Sequence, residues 1–315
     1  MKYKVFIDGV AGTTGLQLKK RLLSHPYIEL IEIDYQLRKD LNEKVRLAKE
    51  ADITILCLPD NAAIETVKEF KSYDIRIIDA SSAHRVDNEW VYGFPEMGKG
   101  QREFIQQAKY VSNPGCYPIG FLSLIRPLVI KNIIPNNTLC NIFGVSGYTG
   151  GGVDLIDKFT VNKELSGFCN YGFDLNHKHN KEMFKYSALT VPPIFMPSIA
   201  NFPQGMNITV PIRTVDSSSL VNKIYQTYSD YYMDDFFIKV HPINDFNSLK
   251  FDKYLQADFL KDTNNLEIFT FHNPSTNTIL LSARLDNLGK GASGNAVQCL
   301  NIMLGLNEEI VPNPM

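Results

Sequence analysis

Cys116 stands in the run Ser112-Asn113-Pro114-Gly115-Cys116-Tyr117-Pro118-Ile119-Gly120, whose residue types suit a reactive thiolate. Pro118 fits a first helical turn, and Phe121, Leu122, Leu124, Ile125 and Leu128 follow at helical spacing. That spacing predicts Cys116 at or just before a helix N-terminus. Backbone N–H groups there favour an anion, and such a setting or a nearby cation lowers a thiol pKa from its usual value of about 8.5. Asn113 and Gly115 add a donor and close backbone access. Cys57, inside Ile53-Thr54-Ile55-Leu56-Cys57-Leu58, has instead the surroundings of a small buried hydrophobe.

A working thiolate needs a proton donor or acceptor beside it. The segment Tyr171-Gly172-Phe173-Asp174-Leu175-Asn176-His177-Lys178-His179-Asn180-Lys181-Glu182 offers two histidines, the side chain that exchanges protons near neutrality. Either His177 or His179 can serve. Reading His177, His179 and Glu182 as metal ligands is weaker, since the cysteines are not clustered with them, and no metal is expected. The histidines at 25, 84, 241 and 272 read as structural. Arg85 closes Asp79-Ala80-Ser81-Ser82-Ala83-His84-Arg85, at a strand end where ligands collect, and can clamp an anionic substrate group or form a surface ion pair.

Gly9-Val10-Ala11-Gly12-Thr13-Thr14-Gly15 lies between a first strand and a first helix. Glycines there allow the tight turn and let a pyrophosphate approach the helix N-terminus, although the spacing is G-x-x-G-x-x-G rather than G-x-G-x-x-G. Asp34, about twenty residues beyond, suits the ribose 2′-hydroxyl of NAD. Arg38 and Lys39 follow within one loop and suit a 2′-phosphate, so the expected cofactor is NADP.

The elements that must carry these residues follow from apolar periodicity. Strands are predicted over 4–8, 29–33, 53–58, 76–80 and 110–112, with helices over about 14–23, 41–49, 61–70 and 98–108. This is the pattern of a doubly wound parallel sheet. After the Cys116 helix come longer alternating runs over 139–145, 207–212, 236–240, 266–272 and 279–285, which read as a mostly antiparallel sheet. A final helix over 295–304 can return to the first domain. The fold class is therefore α/β: a Rossmann-type dinucleotide-binding domain (1–115 with 294–315) and an α+β catalytic and oligomerisation domain (116–293).

The 315 residues are 44% hydrophobic and 21% charged, ordinary for a globular enzyme of two domains. A net charge of −2 gives no general attraction to nucleic acid or an anionic membrane, so small ligands are the expected partners. No apolar stretch reaches membrane-spanning length, and the first residues run into a strand pattern without a secretory apolar core, which points to the cytoplasm. The five cysteines are scattered, with no C-x-x-C pair, as in a reducing compartment.

Taken in order, the Gly9–Gly15 turn, Asp79–Arg85, Trp90-Val91-Tyr92-Gly93-Phe94-Pro95-Glu96, Ser112–Pro118, Ser146-Gly147-Tyr148-Thr149-Gly150-Gly151-Gly152, His177-Lys178-His179 and Asn287-Leu288-Gly289-Lys290-Gly291-Ala292-Ser293-Gly294 resemble the N-acetyl-γ-glutamyl-phosphate reductases, and within them the shorter type 2 branch. The likeness spans nearly the whole chain. It implies an architecture like those of aspartate-semialdehyde and glyceraldehyde-3-phosphate dehydrogenases. It also implies NADPH-dependent reduction of an acyl phosphate through a cysteine thioester in arginine biosynthesis, with release of phosphate, by a homo-oligomer (dimer or tetramer). By that likeness Cys116 matches the nucleophile and His177 the acid/base, with Arg85, Asn113, His179 and Glu182 on the substrate side. Gly9, Gly12, Thr13, Thr14, Gly15, Arg38, Lys39, Pro59, Ser81, Gly147 and Asn295 make up the expected cofactor set. Lys181, Val153 and Asn201 depart from the pattern, at positions where proline, a basic residue and arginine are expected. An aspartate-semialdehyde type of dehydrogenase and a non-catalytic NADP sensor are the alternatives.

Overall fold

In the computed structural model, which describes residues 2–314, strand β1 (Tyr3–Asp8) is buried from Val5 onward and feeds two cores in alternation. Val5 and Ile7 join Leu18 and Leu22, whereas Phe6 joins Leu47, Val67 and Phe70. A strand buried on both faces is the mark of a parallel sheet between helices. The chain continues through α1 (Thr13–Leu23), β2 (Ile28–Ile31), α2 (Leu41–Glu50), β3 (Ile53–Leu56), α3 (Asp60–Phe70), β4 (Ile77–Asp79), β5 (Val91–Tyr92), α4 (Gln101–Gln107) and β6 (Tyr110–Ser112). There follow α5 (Cys116–Ile130), β7 (Asn141–Gly147), α6 (Gly152–Thr160), β8 (Phe168–Asn170), α7 (Asn180–Ser187), β9 (Ile194–Ala200), β10 (Met206–Arg213), α8 (Ser217–Tyr231), β11 (Ile238–Val240), β12 (Leu266–Asn273), β13 (Thr278–Leu285) and α9 (Gly294–Met303).

Two units result. The first takes the stretch through Pro95, then Lys99–Pro114 and the stretch from Ala292 onward; the second takes Glu96–Gly98 and Gly115–Gly291. In the first, all strands pair parallel in the order β2-β1-β3-β4-β6-β5. Helices α1, α4 and α9 supply residues to one core and α2 and α3 to the other. The order turns back on itself at β1 and β3, the switch point at whose carboxyl edge nucleotides bind in such sheets. Strand β5, two residues long, carries too little pattern to be read from the sequence, and α4 starts at Gln101 rather than 98 because Gly100, at φ +85°, breaks the run.

The second unit is a seven-stranded sheet ordered β11-β12-β13-β10-β7-β9-β8. Four pairings are antiparallel, but β7 with β9 and β11 with β12 are parallel, so the sheet is mixed. Helix α5 has 12 of its 15 residues buried, which marks it as the central helix of this unit. Gly120 seats it on β10, where a Cβ would lie 2.5 Å from the end of Ile208. Pro127 lacks the N–H that would bond the Ser123 carbonyl. Tyr232 Oη donates to that carbonyl at 2.8 Å instead, and Tyr228 Oη donates to the Leu124 carbonyl at 2.5 Å. Tyr232→Phe leaves a buried carbonyl unsatisfied and is expected to lower stability by about 1–3 kcal/mol, seen as a lower urea midpoint with an unchanged m-value. Among the described residues no helix is long and apolar enough to cross a membrane.

Candidate active site

In the first unit the Gly9–Gly15 turn is a cradle that side chains would fill. Gly9 sits at φ +93°, where a Cβ would be 2.4 Å from the Cys57 carbonyl oxygen, and a Cβ on Gly15 would be 2.4 Å from the Gly9 oxygen. Gly12 caps α1 without a side chain and has open space around its Cα, with nothing nearer than 3.8 Å to an added Cβ. Thr13 and Thr14 open the helix. These features fit a pyrophosphate held on helix N–H groups. Pro59 caps α3 at the end of the neighbouring strand. Burial pushes the Cys57 thiol up to about 12, with the charges of Asp79 and Asp8 adding to the rise, so this cysteine is inert.

Strand β2 stops at Ile31, and Asp34 caps a short turn with its carboxylate accepting from Gln36 N at 2.8 Å. Arg38 lies over the Tyr35 ring, 3.8 Å from its centroid, and donates to the Tyr35 carbonyl at 2.6 Å; it and Lys39 are exposed. The two cations thus sit in the loop that follows β2.

Beyond β4, Asp79 organises its own loop by accepting from Ser81 N and Oγ at 2.9 and 2.7 Å and from His84 Nδ1 at 2.6 Å. His84 stacks on Trp90 at 4.4 Å, a structural role. Arg85 is buried: its Nε donates to the Asn113 carbonyl at 2.9 Å and its Nη2 to the Ala80 carbonyl at 3.2 Å. Asn113 in turn donates from Nδ2 to the Ala292 carbonyl at 3.0 Å and accepts on Oδ1 from Asn295 Nδ2 at 2.8 Å. Arg85 and Asn113 therefore brace the ends of β4 and β6. Asn295 is fully buried, and its Oδ1 finds no hydrogen-bond partner among the described residues, an orphaned acceptor of the kind a carboxamide donor satisfies.

In the second unit Cys116 is the first residue of α5, after the extended Gly115 cap. The residues on either side of it reach the histidine segment. Gly115 N donates to Glu182 Oε2 at 3.0 Å, and the Tyr117 ring meets those of His177 and His179 at 6.1 and 5.9 Å. On a further side, a Cβ on Gly291 would fall 2.6 Å from Cys116 Cβ. All five cysteines are thiols.

His177 and His179 lie ring to ring at 4.7 Å. The His179 backbone N–H, which can only donate, points at His177 Nδ1 at 3.1 Å. The neutral ring therefore keeps its proton on Nε2, which faces Tyr171 Oη at 3.4 Å. Burial pushes the Tyr171 phenol up to about 12 against the opposing influence of the Tyr117 hydroxyl, and charge on Cys116 adds to the rise. His179 is buried, with Nε2 3.9 Å from Glu182 Oε1. Gly147, expected on the cofactor side, is packed in this unit so that a Cβ would strike the Pro203 carbonyl at 2.5 Å. The residues that sequence reasoning passed over are Tyr117 and Tyr171, visible only as aromatics near Cys116 and His177, and the buried pair Lys290 and Glu96.

Family models for a semialdehyde dehydrogenase NAD binding domain and a semialdehyde dehydrogenase dimerisation domain match residues 4–108 and 116–287. An N-acetyl-gamma-glutamyl-phosphate reductase 2 from Nostoc sp. is 47% identical, with 98% of this chain and 99% of its own length covered. An N-acetyl-gamma-glutamyl-phosphate reductase from Brucella anthropi is 40% identical, covering 97% and 99%. Among solved structures, aspartate semialdehyde dehydrogenase with NADP from Candida albicans has a TM-score of 0.68 at 12% identity, covering 99% of this chain and 100% of that one. Aspartate semialdehyde dehydrogenase II from Vibrio cholerae has a TM-score of 0.66 at 14% identity, covering 97% and 99%. Those two show a shared fold.

Proposed function

The chain belongs to the semialdehyde dehydrogenase family, among the N-acetyl-γ-glutamyl-phosphate reductases, and from that premise we propose that Cys116 carries the substrate as a thioester with His177 as a hydrogen-bond donor to the reacting oxygen. The enzyme reduces N-acetyl-γ-glutamyl phosphate with NADPH to N-acetylglutamate 5-semialdehyde, releasing phosphate, in arginine biosynthesis. The observation that carries the residue assignment is the setting of Cys116. It opens α5, with its neighbours Gly115 and Tyr117 reaching Glu182 and the two histidines.

The Cys116 thiolate attacks the acyl carbon, the carbonyl electrons move onto oxygen, and re-forming the carbonyl expels phosphate. NADPH, when bound, would supply the hydride for the thioester carbon. The resulting oxyanion re-forms a carbonyl and expels the Cys116 sulfur, leaving the aldehyde and a thiolate ready for the next cycle. First-turn N–H groups of α5 stabilise the oxyanion in both tetrahedral steps. The Nε2–H of the neutral His177 ring donates a further hydrogen bond to that oxyanion, and the departing phosphate takes its proton from water. Glu182 and His179 hold the donor and the start of the helix in place. Arg85 and Asn113 are proposed on the substrate side, with Arg85 the cation for a substrate anion. The Gly9–Gly15 cradle, Pro59, Arg38, Lys39, Ser81 and Asn295 are proposed to hold NADP, with Gly147 framing the loop beside Ser146.

A reactive thiolate suits a reducing compartment, and the cytoplasm is proposed. Phe143, Ile194 and Leu280 share the face of the second sheet turned away from α5 and are 48, 53 and 36% exposed; a second copy of the chain is proposed to cover them in a dimer or tetramer. The test of the reaction runs it backwards. N-acetylglutamate 5-semialdehyde, NADP⁺ and phosphate are expected to yield NADPH, and arsenate to replace phosphate. Aspartate semialdehyde turned over faster would contradict the substrate, and NADPH binding without any turnover would leave a sensor.

A further inference from the structure

Glu96, Met97 and Gly98 belong to the second unit, although the chain on both sides of them belongs to the first. They are tied down firmly. The Met97 carbonyl accepts from Arg126 Nε at 3.0 Å and from Tyr231 Oη at 2.5 Å. Glu96 takes the Lys290 ammonium on both carboxylate oxygens, at 2.7 and 2.9 Å, and neither side chain has any exposed surface. Lys290 Nζ also lies 5.6 Å from the centroid of the Phe237 ring.

Lys290 sits inside a wide π-helical turn, Gly289–Ser293. Asp286 starts that turn by accepting from Leu288 N at 3.1 Å on its carboxylate and from Gly291 N at 2.8 Å on its carbonyl. Gly289 is pressed against the Thr263 carbonyl, where a Cβ would have 1.9 Å. The next residue but one, Gly291, is the wall that touches Cys116. Burying two charges is a weak source of stability, because well-packed apolar residues of similar volume serve as well. What such a pair does supply is a fixed register, and here the residue it fixes is one bond from the wall of the nucleophile.

We propose that the Lys290–Glu96 pair positions Cys116 by holding Gly291 against it. The pair has no surface with which to touch substrate, so both are positioning residues, and the proposal rests on Cys116 being the thioester carrier. A misplacement of the order of an ångström costs about 10²-fold in rate. The double variant Glu96→Leu/Lys290→Met removes both charges and keeps volume. It is expected to melt near the wild-type temperature and to bind NADPH and acyl phosphate with unchanged Kd and KM. Its kcat is expected to fall by about 10-fold to 100-fold, with iodoacetamide labelling of Cys116 slowed in step. Gly291→Ala, with the pair intact, is expected to show the same split, and decides the matter should the double variant not fold. Wild-type kcat and labelling in either folded variant overturns the proposal, as does a parallel loss of NADPH binding and KM. Cys116→Ala assayed alongside separates the two levels: full turnover there removes the thioester reading itself, whereas an inactive Cys116→Ala beside an unimpaired double variant removes only the role of the pair.

Discussion

Cys116→Ala is expected to abolish turnover while NADPH binding stays at the wild-type level. In the proposed reaction the thiolate takes the acyl group from phosphate and holds it for the hydride, so its loss removes the covalent route altogether. Loss of a covalent nucleophile costs on the order of 10⁶ in kcat where it has been measured in a hydrolase. The proposed nucleotide cradle is Gly9, Gly12 and Gly15 in the first unit, and Cys116 contributes nothing to its geometry. Steady-state assay with titration of the intrinsic NADPH fluorescence separates the two functions. Cys116→Ser is the companion, since it keeps a hydroxyl of similar size that is not ionised at neutral pH, and it is expected to be nearly as inactive. Loss of both turnover and NADPH binding would assign Cys116 to structure instead.

His177→Ala is expected to lower kcat by about 10²–10³-fold, the range for loss of one oxyanion donor, and to cost far more than His179→Ala. The asymmetry comes from hydrogen bonding. The His179 amide holds His177 Nδ1, which leaves the His177 Nε2–H as the donor. His179 is buried beside Glu182 and Tyr117, where its removal loosens the support of the site without removing the donor. The check is kcat and KM for both variants over a range of pH. Equal losses would undo the assignment between the two histidines.

The parts of the site that the sequence reveals are those whose chemistry is local. Gly9 and Gly15 had to be glycine because their Cβ positions are occupied by backbone, and a turn between a strand and a helix shows this directly. The start of α5 is legible from Pro118 and the apolar spacing after it. The histidine segment is legible by residue type, yet the tautomer of His177 comes from an amide contact that no spacing reveals. Lys290 and Glu96 are 194 residues apart, and in sequence each looks like solvated surface, so their burial as a pair is purely tertiary. Alternating patterns predict strands but not their neighbours, which is why the parallel pairings of β7 with β9 and β11 with β12 were invisible. Asp34 was expected to end β2, but the strand stops three residues earlier and the carboxylate caps the next turn. Arg85 reads as an exposed clamp in sequence, whereas the fold buries it against two main-chain carbonyls.

The most direct test of the thioester mixes enzyme with N-acetyl-γ-glutamyl phosphate in the absence of NADPH, quenches it rapidly in acid and weighs the intact chain. One acyl group per chain is expected, mapped to the peptide holding Cys116 and matched by a burst of one phosphate; adding NADPH is expected to clear it at no less than the steady-state rate. Product formed at full rate from chains that never carry that added mass would contradict it.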